Sequence, residues 1–123
     1  MITVLPENNE RITEAVFKEK GIPFTEDSGM VTAKSGGEIL GRCLYYLSET
    51  RMTVLSLEPE NDLLMADGIL RSALHISAER FVMDAVYGEN TDGEIFRKLG
   101  FIKDEKERTL DIDKLFGGCS CKK

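Results

Sequence analysis

The segment ENTDGEIFRKLGF, residues 89–101, constrains this chain more than any other stretch. Ile95, Phe96 and Leu99 recur at helical spacing and make a narrow apolar stripe. Arg97 and Lys98 fall in the last turn of that helix, where cations suit the dipole. Gly100 supplies the left-handed residue that closes it, and Phe101 opens a strand. A strand must leave this helix sharply, and glycine permits it. The apolar run over residues 81–87 reads as the buried strand that comes before.

Upstream the period changes twice. Residues 1–5 read as a first strand, and Pro6-Glu7-Asn8-Asn9 starts a helix running to about Lys20. Ile12, Ala15, Val16 and Phe17 are its expected apolar face, and Gly21-Ile22-Pro23 ends it. Residues 30–33 and 38–47 flank Ser35-Gly36-Gly37 as a hairpin, and residues 52–57 form the next strand. Leu63, Leu64, Ala66, Ile69, Leu70, Ala73 and Leu74 then repeat at three and four, which predicts the strongest helix over 62–78, capped by Asn61 or Asp62. After Phe101 come a strand over 101–103, a charged turn over 104–107 and a last strand, or strand plus turn, over 109–116. The expected order is β-α-β-β-β-α-β-α-β-β, an α+β domain with a mixed, mostly antiparallel sheet flanked by helices.

At 123 residues the chain makes one domain with a real core, expected over 1–116, with 117–123 as a flexible cysteine-bearing tail. The net charge of −6 argues against nonspecific binding to nucleic acid, which needs lysine and arginine to displace counterions. No window reaches the roughly 18 apolar residues of a membrane span. The first ten residues lack a basic flank and a long apolar core, so neither a membrane nor a secretory leader is expected. A cytoplasmic location follows, and Cys43, Cys119 and Cys121 suit a reducing compartment better than a disulfide framework. Cys119-Ser120-Cys121 offers too few thiolates for a closed zinc site, and no metal is expected.

The strand–helix–Gly-Phe unit resembles the last conserved segment of the GNAT superfamily of acetyl-CoA-dependent N-acetyltransferases, N-x-x-A-x-x-x-Y-x-x-x-G-F. Gly100-Phe101 match its ending, Phe96 stands where the family has tyrosine, and Asn90 lies one residue closer to it than the family spacing. The resemblance covers about residues 28–113 well and the first 27 loosely, with residues 21–29 in place of the family's second helix.

The resemblance implies a place for acetyl-CoA. Backbone groups of Leu55, Ser56 and Leu57 would pair with the pantetheine arm, and amides of Leu63, Leu64, Met65 and Ala66 would meet the pyrophosphate at the helix start. Two readings of that loop stand side by side. Asn61 replaces the family's basic residue, Leu64 replaces a glycine, and Glu58, Glu60, Asp62 and Asp67 surround the site. Acidic residues cap a helix well. Against a pyrophosphate each repels, at about 2–3 kcal/mol for like charges roughly 6 Å apart in an effective dielectric of about 20. Arg71, Arg97 or Lys98 would have to restore the balance.

The resemblance also implies direct transfer to an amine on a small molecule or peptide. Phe96 has no proton to give, so Tyr87 or water is the expected acid for the departing thiolate. Glu58 is the expected base, with Asp84 and Glu89 as further carboxylates on the cleft strands. His75 sits on the polar flank of the long helix and is expected to be a surface residue. The alternative is a binding module that kept the fold and lost catalysis, with a second copy of the chain or another protein as its partner.

Overall fold

The computed structural model describes residues 1–116. Their order is β1 (Ile2–Pro6), α1 (Glu10–Glu19), β2 (Ser28–Ser35), β3 (Glu38–Leu47), β4 (Met52–Glu58), α2 (Leu63–Glu79), β5 (Ala85–Tyr87), α3 (Glu94–Leu99), β6 (Ile102–Asp104) and β7 (Thr109–Leu110), then a 3-10 turn over Ile112–Leu115. The sequence pattern predicts this order, and residues 21–27 hold no second helix. The expected tail over 117–123, with Cys119 and Cys121, lies outside the described residues. None of the described helices is long and apolar enough to cross a membrane.

The strands form one seven-stranded sheet in the order β1-β2-β3-β4-β5-β7-β6. Every pairing is antiparallel except β4 with β5. The β2–β3 turn is made by Gly36 and Gly37, both at positive φ (57° and 90°), the conformation a two-residue hairpin demands. Two cores lie on opposite faces. Val16 and Phe17 of α1 pack on Met30 and Leu44, with Ile22, Phe24, Tyr46 and Leu55 around them. On the other face α2 and α3 bury Ile69, Leu70, Leu74 and Phe96 against Val31, Cys43, Val54 and Leu57.

Asn9 caps α1 by accepting from the Arg11 amide at 3.0 Å, and Asp62 caps α2 by accepting from the Met65 amide at 3.1 Å. The buried face of α1 is Thr13, Val16 and Phe17, whereas Ile12 and Ala15 are exposed. The helix contributes only a narrow strip, and the i, i+3, i+4 set that fits it starts at Thr13, one position after Ile12.

All three helices end alike. The amides of Gly21 and Ile22 reach back to Lys18 and Phe17, those of Phe81 and Val82 to Ala78 and Ser77, and those of Gly100 and Phe101 to Arg97 and Phe96. Each closure needs one left-handed residue, and these are Gly21, Phe81 and Gly100 at φ 70°, 64° and 76°. This corrects the expected strand over 81–87: Phe81 is 91% exposed, Phe81 and Val82 belong to the closure of α2, and β5 starts only at Ala85. An apolar run at a helix end mimics a strand whenever its first residue is spent on the turn. Phe81 therefore holds an unfavourable φ without burying its ring. Replacing Phe81 with glycine is expected to stabilise the fold by up to about 1 kcal/mol, the left-handed penalty less the entropy of glycine in the unfolded chain. Urea denaturation measures it, and a destabilised variant would refute the account.

Candidate functional site

β4 and β5 run together only over Met52–Val54 and Ala85–Tyr87. Beyond that point they part. The pairing of β3 with β4 passes from Leu44↔Ser56 to Tyr45↔Val54, which leaves Leu55 as an extra residue. Such a bulge bends its strand and raises the local twist. Leu55 packs on the α1 side, Ser56 lies opposite Leu44 of that same core, and Leu57 returns to the α2 side. Two consecutive residues thus face α1, and β4 turns away from β5.

The parted strands frame a cleft. Its larger hollow, about 490 Å³, is lined by Lys20 to Pro23 after α1, Tyr46, Leu55 and Ser56, and by the loop after β5 from Gly88 to Thr91. A smaller one of about 190 Å³ is lined by Lys20, Leu55 to Glu58, Glu60, Asn90 to Asp92 and Ile95. Gly41 sets the position of the β4 end. A side chain there would collide with the Glu58 carbonyl, with Ile69 Cδ1 at 2.6 Å and with Pro59 Cδ at 2.8 Å, so β3 passes directly beneath the loop that leads to α2.

The fold is similar to that of solved structures. A GNAT family acetyltransferase from Elizabethkingia anophelis with acetyl-CoA bound superposes with a TM-score of 0.56 at 14% identity, over 84% of this chain and 78% of that one. The ribosomal-protein-alanine N-acetyltransferase of Brucella melitensis biovar Abortus 2308 gives 0.57 at 13%, over 80% and 88%. YhhK of E. coli bound to coenzyme A gives 0.56 at 11%, over 85% and 93%. The chain has the GNAT fold. The sequence itself matches no protein-family model and no curated protein.

Within the GNAT fold the residues singled out from sequence fall into two groups. Leu55, Ser56, Leu57 and Glu58 line the cleft together. Leu63, Leu64, Met65 and Ala66 form the first turn of α2, and none of them lines either hollow. The Met65 amide is held by the Asp62 side chain, and the Ala66 amide donates to the Asp62 carbonyl at 3.0 Å. The amides of Leu63 and Leu64 lie in the part of the first turn that no helix carbonyl reaches.

Tyr87 and Glu58 are not brought together. The Tyr87 ring is buried on the α2 side, stacked on Phe96 at 5.2 Å and 15°, with its hydroxyl against Gly93. Glu58 faces α1, where its carboxylate accepts from Lys20 Nζ at 2.9 Å. Asp84 is paired with Arg51 at 2.8 Å, and His75 lies on the α2 surface beside Glu79. Of the cations expected to balance the acidic loop, Arg71 pairs with one of its carboxylates and Arg97 is engaged elsewhere. Arg71 pairs with Asp67 at 2.7 Å and lies over the Phe101 ring. Arg97 binds Glu94 and, at 2.8 Å, Glu105, whose carboxyl it holds below the usual range through their hydrogen bond.

Sequence reasoning missed Lys20, Tyr46 and Thr91. Lys20 is visible only as the residue two turns past Thr13 on the buried face of α1, and nothing in the pattern ties it to Glu58. Thr91 stands within the recognised segment, yet its partner is Leu55, 36 positions away. Cys43 is core, and burial pushes its thiol up to about 12. At pH 8 it stays protonated, so a maleimide is expected to modify Cys43 in unfolded protein and to leave it untouched in folded protein. Peptide mapping by mass spectrometry separates it from Cys119 and Cys121, and modification of Cys43 in the folded state would overturn the expectation.

Proposed function

We propose that the chain is an acetyl-CoA-dependent N-acyltransferase that passes an acyl group to an amine on a small molecule or peptide. The observation that carries this reading is the parting of β4 from β5 at the Leu55 bulge, which opens a cleft through the sheet edge-on to a strand backbone. Backbone groups of Leu55, Ser56 and Leu57 would hold the pantetheine arm. The first turn of α2, Leu63 to Ala66, would face the pyrophosphate, with Leu63 and Leu64 as the amide donors. Acetyl-CoA supplies the acyl group as an activated thioester.

Glu58 takes the proton from the amine as the C–N bond forms, and Lys20 holds the carboxylate in place at 2.9 Å. A proton reaches the sulfur as the C–S bond breaks, from Tyr87 or from water. Tyr87 lines neither hollow and its buried hydroxyl lies against Gly93, which favours water as the donor.

Two observations favour the second reading, a binding module without catalysis. The Asp62 carboxylate occupies the Met65 amide, and the Thr91 hydroxyl occupies the Leu55 carbonyl. Both groups are ones that the cofactor would want.

Calorimetric titration with acetyl-CoA and with CoA at low salt separates the readings. Micromolar binding is expected, with CoA release in the presence of an amine panel. Glu58→Gln should then lower kcat by about 10²–10⁴-fold, the usual contribution of a general base, without weakening CoA binding, because it leaves Lys20 as a net cation beside the cleft. No heat and no thermal stabilisation at millimolar ligand would transfer the conclusion to the second reading.

A further inference from the structure

The two hollows of the cleft share a wall. Lys20, Leu55, Ser56, Asn90 and Thr91 line both. At that wall Thr91 Oγ1 donates to the Leu55 carbonyl at 2.9 Å, a partly buried bond that reaches across the gap between the parted strands. The loop is shaped for it. The Gly88 amide donates to the Val54 carbonyl at 2.8 Å, the last link between the strands before they part, and the Thr91 amide donates to the Gly88 carbonyl at 3.0 Å. A Cβ on Gly88 would come within 2.7 Å of Thr91 Oγ1, so the absence of a side chain at 88 lets the hydroxyl sit where it does.

We propose that Thr91 is a gate: its hydroxyl clasps the loop after β5 onto the Leu55 carbonyl, divides the cleft in two, and must release that carbonyl before a ligand can thread the cleft. The ligand part of this proposal rests on the acyl-CoA reading above; the clasp does not. One side-chain hydrogen bond holds it, which is weak enough for a bound ligand to replace and strong enough to bias the loop. A pantetheine arm offers amide groups that would satisfy the carbonyl instead.

The test compares wild type, Thr91→Val, which keeps the shape and loses the hydroxyl, and Thr91→Ser, which keeps the hydroxyl. Amide hydrogen exchange without ligand is expected to run about fivefold faster at Gly88 and Thr91 in Thr91→Val, with α2 amides unchanged and Thr91→Ser like wild type. CoA is expected to bind Thr91→Val about fivefold more tightly than wild type, with Thr91→Ser again like wild type. Gly88→Ala, which displaces the hydroxyl from the other side, should reproduce the exchange result. Unchanged exchange in Thr91→Val overturns the clasp whatever CoA does. Faster exchange with equal or weaker CoA affinity overturns the gate and leaves the acyl-CoA reading standing. Faster exchange with no CoA bound by any of the three proteins overturns the gate together with that reading.

Discussion

The structure depends on one misalignment, the extra residue Leu55 between Tyr45↔Val54 and Leu44↔Ser56. Before it, β4 is an ordinary central strand, paired on both sides. After it, β4 keeps β3 and loses β5. The lost pairing would leave backbone polar groups of a central strand without partners, and such groups are costly unless something satisfies them. Here they open onto the cleft, and Thr91 takes one carbonyl. The other elements hold this opening from outside: Gly41 lets β3 run under the end of β4, Gly21 turns the chain after α1 across the larger hollow, and Gly88 brings the β5 loop to its rim.

The two faces of the sheet divide the work. The α2 side is apolar and closely filled. Its aromatic stack of Tyr87 on Phe96 and the burial of Phe101 under Lys114, whose ammonium sits 4.6 Å from the ring and also donates to the Leu99 and Gly100 carbonyls, tie α3 to the sheet. The α1 side carries the polar groups of the cleft, Ser56, Glu58 and Lys20. A phenylalanine at position 96 fits this division. Stacked against Tyr87 it strengthens the core.

The order of elements was legible because the strong signals are local: the period of α2, the Gly36-Gly37 hairpin, and Gly100 closing α3. Two local readings failed for the same physical reason. Phe81 and Ile12 are apolar and exposed, and hydrophobicity alone cannot tell a buried side chain from one placed by a helix closure or by a face one position out of phase. In the site, Leu55 to Glu58 were found together because they are consecutive. The residues that complete the cleft come from α1 and from the loop after β5, and their contacts span 38 and 36 positions. Pairings of that kind are fixed by the sheet, which no spacing in the chain records.

The acidic loop also looks different once folded. Counted along the chain, Glu58, Glu60, Asp62 and Asp67 oppose an anion at the start of α2. In the structure Glu58 is paired with Lys20 and Asp67 with Arg71. Each pair presents a dipole, and a dipole repels a phosphate far less than a lone carboxylate does. Among the described residues Glu60 and Asp62 remain without an ion pair, and Asp62 spends its charge on the Met65 amide. At about 2–3 kcal/mol per unscreened pair in an effective dielectric of about 20, halving the number of opposing charges changes the balance by several kcal/mol, as much as two or three charge-assisted hydrogen bonds return. The loop thus opposes a pyrophosphate with four charges on paper and two in space, and Lys20, a residue outside the loop, makes half of that difference.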